Sequence, residues 1–212
     1  MWIYGTNPVK QRVFQSAHLA ELAWLAIPEG HKIHVMRKLT NEEITVNATG
    51  SILYIGVTIE EANEGTFSVS VDDEAPTHYA AGAPKGMIAT HLGRTSAPAL
   101  IRISHFPAGS HFVCIRGTVQ LDWIAGLSGE RHPGWPSVYA SSVPPNARYG
   151  DDGYSQIIAR NVGLLRHDGL NVSFTEIPKF DLKNDIAEDK AHPLDSGFAK
   201  IFRAFHDVVE RN

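Results

Sequence analysis

From about Lys32 to Gly126 the hydrophobic pattern repeats every second residue, and no helix-length pattern interrupts it. The runs "EITVNA", "SILYIGVTI", "GTFSVSVDD", "ALIRISHF", "GSHFVCIRG" and "TVQLDWIAG" carry this alternation, separated by "NATGS", "NEGT" and "FPAGS". Neighbouring side chains on a strand face opposite sides of the sheet, so alternation marks strands with a buried face. Many short strands at close, regular spacing point to an antiparallel sandwich or jelly roll. Within these runs Trp123 alternates like a core residue, and Cys114 reads as a small apolar core residue.

The flanks have a different rhythm. Met1, Trp2, Ile3 and Tyr4 read as a buried strand, and Gly5-Thr6-Asn7-Pro8 as a sharp turn. Val9, Val13, Phe14, Ala17, Ala20, Trp24 and Ile27 fall at spacings of three and four, which predicts one amphipathic helix stopped by Pro28 and Gly30. Beyond "SGERHPGWP", "SVYASSVP" reads as a strand and "YSQIIARNVGLL" as a helix. "LNVSFTEIP" is a further strand, and "GFAKIFRAFHDVVE" a last helix with Phe198, Ile201, Phe202, Phe205, Val208 and Val209 on one face. Strand, helix, strand, helix implies parallel strands joined by crossovers. The expected fold is α/β with an inserted all-β module, divided into 1–31, 32–127 and 128–212.

Composition removes several functions. The 212 residues carry a net charge of −4 with scattered Lys and Arg, so no basic surface for nucleic acid is expected. One cysteine excludes an internal disulfide and fits folding in a reducing cytoplasm. The start has no basic n-region or long apolar run, so no signal peptide is expected, and no stretch reaches the ~20 apolar residues of a membrane span. Of eleven histidines, His31 and His34 fall at a strand start, where that spacing turns them to opposite faces. His78, His91, His105 and His111 are isolated, so neither a metal site nor a cofactor is expected.

The most specific local signal is Asp189-Lys190-Ala191-His192-Pro193, followed by Asp195, Ser196 and Gly197 ahead of the last helix. An Asp three residues before a His can orient the imidazole as a general base. The same residues also suit a plain helix-entry loop, with Asp195 or Ser196 as cap and Asp189 solvated. In its context, "YGDDGYSQIIARNVGLLRHDGLNVSFTEIP…DKAHPLDSGFAKIFRAF" resembles the C-terminal part of the SGNH (GDSL-type) hydrolase superfamily. "WIYGTN" resembles that superfamily's third block, a strand ending in Gly-x-Asn. The resemblance implies a partial flavodoxin-like fold, with Gly5 and Asn7 in the oxyanion block and Asp189 and His192 as acid and base. Its Gly-Asp-Ser block and second oxyanion Gly would precede Gly5, and nothing here fills those places. Pro8 also stands where an Asp often follows the Asn. Ser16 falls in the first helix, and Ser141 and Ser142 lack the nucleophile turn. Ser128, in "GLSGE", is the one serine on a Gly-flanked turn.

The β module resembles jelly-roll modules attached to or inserted in such hydrolases, some of which bind carbohydrate while others only pack. The expectation is therefore a non-catalytic structural or glycan-contacting protein; by analogy with phage tail assemblies, a virion tail component is expected. The alternative is an esterase or deacetylase completed by a separate chain carrying Gly-Asp-Ser. As an apolar strand, Met1–Tyr4 is expected to be covered by another chain or a second copy.

Overall fold

The computed structural model describes residues 11–14, 17–61, 63–83, 95–142, 154–189 and 192–210. The Met1–Tyr4 strand, Gly5, Asn7, Pro8, Ser16 and His91 lie outside the described residues. The chain is mixed α/β, with one large, mostly antiparallel sheet and a second, two-stranded parallel sheet. In order it forms β1 (Gln11–Phe14), α1 (Ala17–Ala26), a short 3-10 turn (Glu29–His31), β2 (Lys32–Glu61), β3 (Thr66–Val71), β4 (Thr77–Ala80) and β5 (Gly82–Ala83). Then follow β6 (Ser96–Leu127), β7 (Val138–Ser141), α2 (Tyr154–His167), β8 (Val172–Thr175) and α3 (Asp195–Val209).

The alternating region is less fragmented than its turn signals predict. β2 and β6, of 30 and 32 residues, pair antiparallel along almost their whole length as one ribbon. The first four residues of "NATGS" stay in the ladder opposite 109–112, and the register slips after Gly50. "FPAGS" falls where pairing skips from Gly109 to Ser104, and Pro107, which has no N–H to donate, fits that gap. These residues bend the strands instead of reversing them.

The ribbon also pairs with itself. Residues 52–58 pair with 98–104 on one side and with 120–127 on the other, while 120–125 also pairs with 32–38. Such double pairing requires the ribbon to roll until its later half lies against its start. β3 and β4 extend the middle of the ribbon beyond 113–117. Leu53, Ile55, Val57, Ile101 and Leu121 thereby share a core with Phe67, Val69, Val113 and Ile115.

Segment 52–57 is buried on both faces, as six successive buried residues show. Its other face, with Ile52 and Tyr54, packs with Leu100, Trp123 and Ala125 against Leu19 and Ala23 of α1, Ile158, Val162 and Leu165 of α2, and Val172 of β8. Burying one such Ile or Leu contributes roughly 1.5–3 kcal/mol, so both cores are substantial. Trp123 is buried, in line with its alternation. Cys114 is not a core residue: Val113 and Ile115 take the inward positions, which turns the intervening thiol outward, half-buried.

Two helix readings change. The helix expected from Val9 is confined to Ala17–Ala26, because Gln11–Phe14 is a strand paired with Leu100–Ile103. A free edge of β6 there offers partners to a β-branched and aromatic pair, which overrides helical spacing. α3 spans nearly its expected residues, but Gly197, Ile201, Ala204 and Phe205 face inward, whereas Phe198, Phe202 and Val209 are exposed. β7 and β8 are parallel, as strand-helix-strand order implies, with Val138 opposite Val172 and Ser141 opposite Thr175.

Candidate functional site

The Asp-x-x-His segment follows the carboxyl end of β8. Thr175 Oγ1 donates to Ala204 O at 3.1 Å, which ties the strand to α3. Beyond it, Ile177, Phe180 and Ile186 form a small core with Ile201, Ala204 and Phe205. Residues 185–194 then double back: Leu194 N donates to Asp185 O and Ala187 N to His192 O, both at 2.8 Å, around an Ile186–Pro193 bridge. Asp185 anchors the base of this loop. Its carboxylate accepts from Lys200 Nζ at 2.5 Å and from Asp181 N at 2.6 Å. The Lys200 bond, followed by the Asp181 amide, holds the Asp185 carboxyl below its ordinary range.

Asp189 and His192 stand at the tip. Asp189 Oδ1 accepts from His192 N at 3.1 Å, and Asp189 Oδ2 pairs with His192 Nδ1. A carboxylate at Nδ1 selects the tautomer with its proton there, which leaves Nε2 as the basic nitrogen. The imidazole is 80% exposed, so Nε2 is open to an incoming group. The pair therefore has the orientation of an acid-oriented base, and the same two bonds also close the turn. Among the described residues, no serine or threonine hydroxyl bonds to His192.

Ser128 does not join this pair. Its hydroxyl lies 3.3 Å from His132 Nε2 and accepts from Glu130 N at 3.3 Å. His132 stacks on Trp135 at 4.5 Å between ring centroids, and His31 meets the same indole at 4.9 Å. Ser142, at the end of β7, uses its hydroxyl to accept from Ile177 N at 2.7 Å. Both serines thus have structural partners. His31 and His34 also part: His31 contacts Trp135, while His34 pairs with Glu29 and meets Trp24 edge-on.

A second polar constellation carries no short motif. Asp168, fully buried after α2, accepts from Arg102 Nε at 2.5 Å, Arg102 Nη2 at 2.6 Å and Tyr54 Oη at 2.6 Å. Arg102 Nη1 donates to Ser104 Oγ at 2.9 Å. Burial lowers the Arg102 pKa, yet the Asp168 bonds and charge outweigh it and hold the group above its ordinary value. Burial first, and Asp168 second, push the Tyr54 phenol well above its usual range. This clamp joins β2 and β6 to the end of α2. A lone Arg in "ALIRISHF" and a Tyr in "SILYIGVTI" were its traces in sequence, because an unpaired charge does not persist in an apolar strand.

No protein-family model matches the chain, and no curated protein matches it. Among solved structures it is similar to a family two carbohydrate esterase from Cellvibrio japonicus, with 15% identity and a TM-score of 0.30 over 79% of this chain and 52% of that one. The chain thus spans about half the length of that esterase. Among the described residues no helix is long and apolar enough to cross a membrane, which says nothing of β-barrels.

Proposed function

We propose that residues 1–212 form the acid–base and surface-contact part of an SGNH-like scaffold, serving glycan or cell-envelope contact and not hydrolysing esters by themselves. The observation that carries this reading is the Asp189–His192 pair, oriented and exposed but without a bonded hydroxyl among the described residues. A serine mechanism needs a nucleophile within hydrogen-bond reach of the base. On this reading the rolled ribbon is a jelly-roll insertion at 32–127 between scaffold parts at 1–31 and 128–212. Gly5 and Asn7 are the oxyanion remnant, and Met1–Tyr4 is an edge for another chain or a second copy. A virion tail component is the setting we favour, by analogy alone.

The outward Nε2 of His192 favours a second reading. It is the geometry an esterase or deacetylase would use with a Gly-Asp-Ser segment supplied from outside these residues. One assay separates the two. Residues 1–212 are expected to turn over short acyl esters no faster than buffer, with and without His192→Ala. Turnover that His192→Ala abolishes would overturn the non-catalytic reading. Co-sedimentation of the chain with bacterial envelope polysaccharide tests the contact role, and its absence would remove it.

A further inference from the structure

At the amino end of the small parallel sheet, opposite the rim that leads to Asp189 and His192, a cavity of about 340 Å³ opens. Arg131, Ser137, Tyr139, Arg166, Asn171 and Ser173 line it. The volume falls within the roughly 300–1,000 Å³ of small-ligand sites. Among the described residues no carboxylate lines it, although Asp and Glu outnumber Lys and Arg in the chain.

The chain builds this cavity from three elements. Val138 and Ala140 of β7 pack toward α1 and α2, so alternation turns Tyr139 to the other face, opposite Ser173 in the ladder. Arg131 Nε donates to Asn171 Oδ1 at 2.9 Å. Asn171 is buried, and its Nδ2 donates to His132 O at 2.8 Å and to Trp135 O at 3.1 Å. Those bonds fix the amide, and the amide fixes the guanidinium. Its two Nη groups have no partner among the described residues.

The last turn of α2 supplies Arg166. Arginine there complements the helix dipole, but the final carbonyls are already taken. Leu164 O, Leu165 O and Arg166 O accept from Asp168 N, Leu170 N and Gly169 N. Asp168 itself is engaged by Arg102 and Tyr54, and Glu130, beside Arg131, does not line the cavity. The Arg166 guanidinium therefore forms no ion pair among the described residues.

Two guanidinium groups at one cavity repel each other unless an anion joins them. A carboxylate has one charge and two oxygens, which one arginine fork already satisfies. A sulfate ester is also a monoanion. A phosphate monoester carries about −1.5 to −2 at pH 7 and three strong acceptor oxygens, enough for both forks. The hydroxyls of Ser137, Tyr139 and Ser173 have no partner among the described residues and can donate to the same oxygens.

We infer that the Arg131–Arg166 cavity binds a phosphate monoester through both guanidinium groups. This site is separate from the Asp189–His192 pair and independent of glycan contact. The test titrates residues 1–212, in phosphate-free buffer, with phenyl phosphate, phenyl sulfate and benzoate, which share a ring and differ in the anion. Calorimetry gives affinity, and NMR follows the arginine Nε–H resonances. Phenyl phosphate is expected to bind about tenfold more tightly than the other two. It should shift the Arg131 and Arg166 resonances and leave that of Arg102, held by Asp168, unmoved. Arg166→Gln, at an exposed helical position, is expected to weaken phenyl phosphate about tenfold. Arg131→Lys keeps the charge but loses the fork, and is expected to weaken it severalfold. Unchanged affinity in both variants, or no binding of phenyl phosphate by wild type, would overturn the site. Benzoate or phenyl sulfate bound as tightly as phenyl phosphate would overturn the choice of ligand. Ester turnover and capture of envelope polysaccharide are untouched by either outcome.

Discussion

Removing the Asp168 carboxylate strands two buried groups at once. Asp168→Ala leaves the Arg102 guanidinium, 9% exposed, bonded to Ser104 Oγ alone among the side chains of this network, and leaves the Tyr54 hydroxyl without its acceptor. Breaking one side of a buried ion pair costs about 3–5 kcal/mol. An orphaned buried hydroxyl adds about 1–3 kcal/mol in isolation, but the groups share one acceptor and the terms do not add. The expected loss is therefore at the upper end, about 4–5 kcal/mol. With a urea slope near 3 kcal/mol/M, this moves the unfolding midpoint down by about 1.5 M at unchanged slope. The control is Tyr54→Phe/Arg102→Met/Asp168→Leu, which replaces the whole network by apolar groups. Such replacement is often neutral or stabilising, so the triple variant is expected to be more stable than the single one. A midpoint shift for Asp168→Ala below about 0.3 M would refute the idea that the clamp holds α2 to the ribbon.

The remaining predictions concern local devices. His111 Nδ1 pairs with Asp72 Oδ2 at 2.8 Å, and Nε2 lies 2.9 Å from Pro107 O, so both ring nitrogens donate in the charged form. The Asp72 bond, acting against burial, raises the His111 pKa; the His111 bond likewise lowers that of Asp72. The stabilisation is therefore complete below the ordinary histidine value of about 6.5 and is lost as pH rises through the elevated folded value, while the Asp72 part fades only in acid. Melting temperatures of wild type and His111→Gln should converge from about pH 6 to pH 9, and a constant gap would contradict the charged pair. Gly169 has φ 93 after α2, and a Cβ there would overlap the Glu130 backbone, so Gly169→Ala should cost more than about 1 kcal/mol in urea unfolding. His192→Ala should change stability by no more than about 0.5 kcal/mol, because the ring is exposed; a larger loss would make its turn-closing role the dominant one.

How much of this was legible in the sequence depends on the range of the interaction. Period-two alternation located the strands, since it reports which face of the sheet is buried, yet Cys114, read as core, lies between the inward-facing Val113 and Ile115 and so turns outward. It could not tell a bend from a reversal. Gly50 and Pro107 read as turns, and their neighbours nevertheless continue the same ladder, because pairing partners 60 residues away decide whether a glycine bends or ends a strand. Helical spacing likewise placed α2 and α3 but extended α1 over Gln11–Phe14, where the competing edge of β6 is invisible locally. The Asp189–His192 contact was legible because its partners are three residues apart. The Trp24–Trp123 and Arg102–Asp168 contacts were not, since each is made by the roll of the ribbon.

That roll also decides what the two ends of the chain mean to each other. Residues 52–57 face the inter-strand core with Leu53, Ile55 and Val57, and face α1 and α2 with Ile52 and Tyr54. A strand buried on both sides cannot lose one neighbour without exposing half its apolar surface to water, at about 25 cal/mol per Å². Tyr54 adds a hydrogen bond to Asp168 across the same boundary. The alternation that reads as a separate all-β block is thus energetically fused to the helices around it.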